Sequence, residues 1–190
     1  MLASPVWRAS NRQGLILTLF AAGLVAGGLM TATGAWLVSG LFRPLPLTVR
    51  SMALFVLAVV AALQDLGWIH LALPQASRQI PQTLFRRGLV SAALQFGFEL
   101  GTGLRTYLPS ALPYLLLSAV ILLGQNPWLA AAAGAGFGLG RAMMPLVWYA
   151  SKNAEWWDKQ LTLRSRYLAL TSAFAGIACM ATVVASAMVR

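Results

Sequence analysis

Five apolar runs, separated by short basic connections, constrain this chain more than any other feature. They cover 14–41, 51–73, 108–124, 128–150 and 167–189. A bilayer core about 30 Å thick takes about 20 mainly apolar residues to cross as a helix. Backbone polar groups in hydrocarbon must pair internally, which leaves helices and closed barrels. The runs are continuously apolar rather than alternating, so they read as helices. Composition agrees, with 59% hydrophobic and 9% charged residues and a mean hydropathy of +0.73. A soluble domain usually carries about 25% charged residues. The expected fold is all-α: a polytopic transmembrane helical bundle, forming a single integral membrane domain over 1–190.

The first run could pass for a secretory signal because basic residues precede it. Its apolar stretch is far longer than the roughly 7–15 residues of a signal core, so it is read as a first span. Net charge is +10, from 14 Lys+Arg against 4 Asp+Glu. The basic residues fall mainly between the runs, as expected for charge that sets topology and meets lipid. Nucleic acid is therefore not an expected partner; the bilayer is. Arginine outnumbers lysine 12 to 2, a bias of high-GC bacterial genomes, and a multi-pass place in the bacterial cytoplasmic membrane is expected. Cys179 and His70 are the only residues of their kinds. Within one chain they cannot build a disulfide, a thiolate metal site or bis-His haem ligation, and no cofactor or metal is expected.

Residues 89–104 are the ambiguous piece. They are short for a span, carry Gln95 and Glu99, and include Gly97, Gly101 and Gly103. Such segments are often re-entrant or broken, where protein or a watery cavity satisfies the backbone. If they cross, there are six spans and no inside–outside charge bias. If they dip and return, there are five, with Arg43, Arg50 and Arg190 alone outside against ten basic residues inside. The positive-inside tendency favours five spans plus a re-entrant or broken helix. The stretch 151–166, with Trp156 and Trp157, reads as interfacial.

Charges inside spans mark function by default, because they are costly in hydrocarbon. Arg141, Asp65 and Glu99 qualify, and Gln95 shares a helix face with Glu99 and Thr102. These are the candidate ligand-binding residues. Gly134, Gly138, Arg141 and Pro145 share one face by helical spacing, so that face should pack tightly on another helix. Asp65 and Arg141 lie at matching depths if there are five spans and should then pair; with six, Glu99 becomes the better-matched partner of Arg141. Gly23, Gly27, Gly28 and Gly34 give the first run a smooth side for close helix approach. The strings Gly97–Gly101 and Gly136–Gly140 echo one another, each followed by an arginine and a proline, as in transporter repeats.

Catalytic signatures are missing: there is no His-Glu-x-x-His, no phosphate-cradling loop and no two-carboxylate metal motif. No catalytic residue is assigned, and an enzyme is not expected. The size and glycine-broken segments resemble small bacterial transporters, although the thiol-redox relays among them use a membrane cysteine pair that this chain lacks. The leading expectation is a small transporter- or channel-like protein with a polar intramembrane site. The alternative is a non-catalytic membrane subunit or scaffold, or a homo-oligomer, joined through glycine-rich helix faces.

Overall fold

The computed structural model describes residues 13–69, 88–103, 110–124 and 126–151. All the regular structure among them is helical. The helices are α1 (Gln13–Ser39), α2 (Leu47–Asp65), α3 (Leu89–Gly101), α4 (Leu112–Leu123) and α5 (Pro127–Ser151), with a 3-10 turn at Gly40–Phe42 after α1. The expected last span 167–189, the stretch 152–166, His70 and Cys179 lie outside the described residues.

Among the described residues, two helices are long and apolar enough to cross a membrane: Gln13–Phe42, counting the 3-10 turn, and Leu47–Asp65. Their lengths, 30 and 19 residues, correspond to about 45 and 28 Å at a rise of 1.5 Å per residue. Two expected boundaries move. The run 51–73 forms a helix that starts earlier and stops at Asp65. Gly67, at φ 76°, makes the left-handed turn. Its N–H bonds to Gln64 O, and the Trp68 N–H reaches back to Leu63 O, both at 3.0 Å. That is a Schellman ending, in which glycine adopts a conformation costly to other residues. The run 108–124, expected as a clean span, contains a helix of only 12 residues, about 18 Å long. The 13 residues of α3 reach about 20 Å. Neither reaches across a full bilayer core, and the described helices that combine span length with span hydropathy number two.

The chain divides into two compact units. The first holds Met1–Thr31, Gln75–Tyr107 and Ala132–Trp157; the second holds Ala32–Pro74, Leu108–Ala131 and Asp158–Arg190.

The first unit is built on backbone contact. A Cβ added at Gly97 would collide with Phe20 O, one at Gly101 with Leu24 O, and one at Gly23 with Leu94 O. On a neighbouring face of α1, a Cβ at Gly28 would meet Gly134 O, and one at Gly138 would sit 2.6 Å from Leu24 O and Val25 Cα. Rising numbers on α3 meet rising numbers on α1, so these helices run parallel. Rising numbers on α5 meet falling ones on α1, so that pair is antiparallel. The face Gly134–Gly138 thus packs as its spacing predicts. Ile16, Leu17 and Ala93 form the small apolar core beside Phe20, whose ring stacks on Phe96 with centroids 5.6 Å apart.

The second unit is built on side chains. Leu54 and Ala58 of α2 pack on Leu115 of α4, flanked by Ala61, Leu112, Ala119 and Leu122. The two helices run antiparallel, because the end of α2 meets the start of α4 and its first turn meets the end of α4.

Candidate functional site

In the first unit, helical spacing brings the polar residues of α3 together. Gln95 Nε2 donates to Glu99 Oε1 at 3.3 Å, and Thr102 Oγ1 donates to Glu99 O at 2.7 Å. Thr31 Oγ1, from α1, donates to Thr102 O at 3.1 Å. Gly103 then turns the chain at φ 71°, and a Cβ built there would lie 3.6 Å from the Phe137 ring of α5. Arg141 sits one turn further along α5, its Cζ 5.7 Å from the centroid of the same ring. A guanidinium within about 6 Å of an aromatic face is attracted by its quadrupole.

The glycine contacts give the register. Gly101 and Gly138 both face Leu24 O, and α3 and α5 are antiparallel, so stepping back two residues to Glu99 and forward three to Arg141 moves the same way along both axes. The steps are about 3 and 4.5 Å, which brings Glu99 and Arg141 to nearly one level. Gln95 follows one turn beyond. Pro145 offers no N–H to the Arg141 carbonyl one turn back, a local opening of the helix ladder.

Asp65, the fourth expected site residue, belongs to the second unit and has a different employment. Its Oδ1 accepts from Ala111 N at 2.7 Å, and its Oδ2 from Ser110 Oγ at 2.6 Å. Ser110 Oγ in turn accepts from Leu112 N at 3.2 Å. The carboxylate therefore caps α4 from a distance, answering N–H groups that a helix start leaves unpaired and complementing its positive end. At the other end of α4, Arg50 Nη1 donates to Leu122 O at 3.2 Å. The Ser39 hydroxyl lies 2.6 Å from Trp36 O and 2.9 Å from Gly124 O. A 12-residue apolar helix is thus held at both ends by charges of the appropriate sign, both from α2.

Sequence reasoning placed Asp65 among ligand-binding candidates and passed over Arg50, Ser39 and Ser110. The signals were present. Ser110 stands just before a helix that carries a proline in its first turn, and Gly67 follows Asp65 at helix-ending distance. Beside these caps, α2 and α4 enclose an open groove of about 140 Å³ between Leu57, Val60, Gln64 and Tyr114. It is mainly apolar, and its Ser118 hydroxyl is turned to Tyr114 O at 2.8 Å. Among the described residues no three His, Cys, Asp or Glu side chains gather as metal ligands would.

Comparison with protein-family models, curated proteins and solved structures returns no match to this chain.

Proposed function

We propose that this chain is a multi-pass helical protein of a cytoplasmic membrane, transporter- or channel-like, with Gln95, Glu99 and Arg141 lining its polar site. The observation that carries this reading is the shared level of Glu99 and Arg141 on two helices that both pack on α1. The membrane part is supported by what the helices leave uncovered. Met30, Leu37, Met52, Val56 and Leu139 are each more than half exposed, and soluble proteins rarely expose contiguous apolar patches above a few hundred Å². The short lengths of α3 and α4 fit segments that cross only part of the bilayer and meet a polar interior.

Reconstitution into vesicles tests the function. Proton flux followed with a trapped pH dye, and uptake of small organic anions, should both be screened. Wild-type flux that Arg141→Gln and Glu99→Gln abolish, with folding intact, supports the site; flux unchanged in both variants contradicts it. Topology is tested after Cys179→Ser with single cysteines at Gln82 and Gln160. Neither should react with an impermeant reagent from outside intact cells if both connections are cytoplasmic.

One observation favours the second reading, a membrane subunit. On α5, Gly136 and Gly140 have open space where a Cβ would stand, and Ala132 on the same face is exposed. By contrast Gly23, Gly27 and Gly28, expected to receive a partner, face helices of their own chain. Co-purification lost on Gly136→Leu, but kept in Arg141→Gln, would favour the subunit.

A further inference from the structure

Arg50 is the most deeply covered charge among the described residues. It is 7% exposed, on the first turn of α2. One guanidinium nitrogen donates to Leu122 O. Nε is buried without an acceptor, and no carboxylate of a described residue meets the group. Arginine cannot shed its proton to escape this position, and a buried charge with no counter-ion is costly. Its own helix offers no remedy. Asp65 lies 15 residues along α2, about 22 Å away, and both its oxygens hold the start of α4.

A second donor, one turn before the residue that reaches the end of α4, has the same difficulty. Trp36 Nε1 is buried without an acceptor. Trp36 stands one turn before Ser39, whose hydroxyl reaches Gly124 O. Between Ser39 and Arg50 the chain turns through the 3-10 helix and Pro44–Pro46, exposing Arg43. Around that cation Leu41 is 77% exposed, and Leu45, Val49 and Met52 are also exposed. Cations, an indole N–H and uncovered aliphatic side chains together are the chemistry of the layer where lipid headgroups meet acyl chains.

We propose that Arg50, Trp36 and Arg43 form a binding site for a phosphate group, carried by the headgroup of an anionic phospholipid. A phosphate supplies the missing negative charge and several acceptor oxygens, and guanidinium–phosphate pairs are charge-assisted and commonly bidentate. The carbonyl end of α4 holds Arg50 in place but leaves its charge unanswered. The lipid completes the set. This site rests on the membrane reading above and lies in a different unit from Glu99 and Arg141.

The test uses the full chain purified in mild detergent. Thermal unfolding is followed on adding phosphatidylglycerol, phosphatidylcholine or inorganic phosphate, alongside flotation with vesicles of each lipid. Phosphatidylglycerol should raise the midpoint more than phosphatidylcholine does. Arg50→Gln should weaken phosphatidylglycerol binding by about tenfold or more, the worth of one charge-assisted hydrogen bond. Trp36→Phe guards against misfolding of that variant. It removes a donor that bonds nothing among the described residues, so lipid-free stability should hold or rise while the response to phosphatidylglycerol falls. Stabilisation by inorganic phosphate alone, lost in Arg50→Gln, would keep the phosphate chemistry and reassign its source to a free anion. Equal responses of wild type, Arg50→Gln and Trp36→Phe to phosphatidylglycerol would overturn the site. Failure of the wild type to float with either vesicle would overturn the membrane reading itself.

Discussion

The two units solve one problem in opposite ways. In the first, α1, α3 and α5 lose their side chains where they meet, so that backbones touch through Gly23, Gly97, Gly101, Gly28 and Gly138. In the second, α2 and α4 keep their side chains, interlock Leu54 with Leu115, and answer both ends of α4 with Asp65 and Arg50. Between apolar helices in lipid there is little hydrophobic driving force, and close packing and interhelical hydrogen bonds take its place. The first unit relies on the former and the second on the latter. Where side chains are absent from the seam, polar ones on neighbouring faces, Glu99 and Arg141, are brought to one level. In the second unit the charges of α2 cap the ends of α4.

The largest expected effect comes from filling the seam. Gly138→Leu and Gly101→Leu would drive a side chain into main-chain atoms of α1, which cannot swing aside, and should cost about 3 kcal/mol or more. Gly136→Leu, on the open face of the same α5, should leave the melting temperature nearly unchanged. Similar losses in Gly138→Leu and Gly136→Leu would break the comparison at its first term.

Next in size are the caps of α4. Asp65→Ala should cost about 1–2 kcal/mol, the usual worth of a helix cap. With Ser110→Ala it should be non-additive by about 0.5 kcal/mol or more, because both act on one network. A loss near the 3–5 kcal/mol typical of breaking a buried ion pair would mean that Asp65 also answers a cation, Arg141 first among them. Denaturation in detergent, followed by far-ultraviolet circular dichroism, reads both. Ser39→Ala should have the smallest effect, about 0.5–1.5 kcal/mol for one net hydrogen bond. It would sharpen the account by showing that the carbonyl end of α4 depends on Arg50 more than on the hydroxyl.

Much of this was legible in the residues. The spacing of Gly134 and Gly138 predicted their buried face, and the turn Asn126–Pro127 predicted the start of α5, where Asn126 Oδ1 accepts from Trp128 N at 2.9 Å. Gln95, Glu99 and Thr102 do share a face. The ends of α2 and α4 were misjudged because hydropathy carries straight through Leu66–Ile69, whereas Gly67 turns the backbone regardless of polarity. The capping role of Asp65 was hidden for a related reason. In a span that runs on to Pro74 it would be an interior charge, but at a helix end it can reach the next helix start. Arg50 passed as a linker charge because its burial depends on Leu122, 72 residues away, a contact no local pattern announces.

The central claim, that Glu99 and Arg141 form one site, is tested most directly by a double-mutant cycle of Glu99→Gln and Arg141→Gln, measured as unfolding free energy in lipid–detergent micelles. Two groups at one level on adjoining helices should couple by at least about 0.5 kcal/mol, and the double variant should recover part of what Arg141→Gln loses alone. Strictly additive losses, or the same recovery produced by Asp65→Asn in place of Glu99→Gln, would contradict the account.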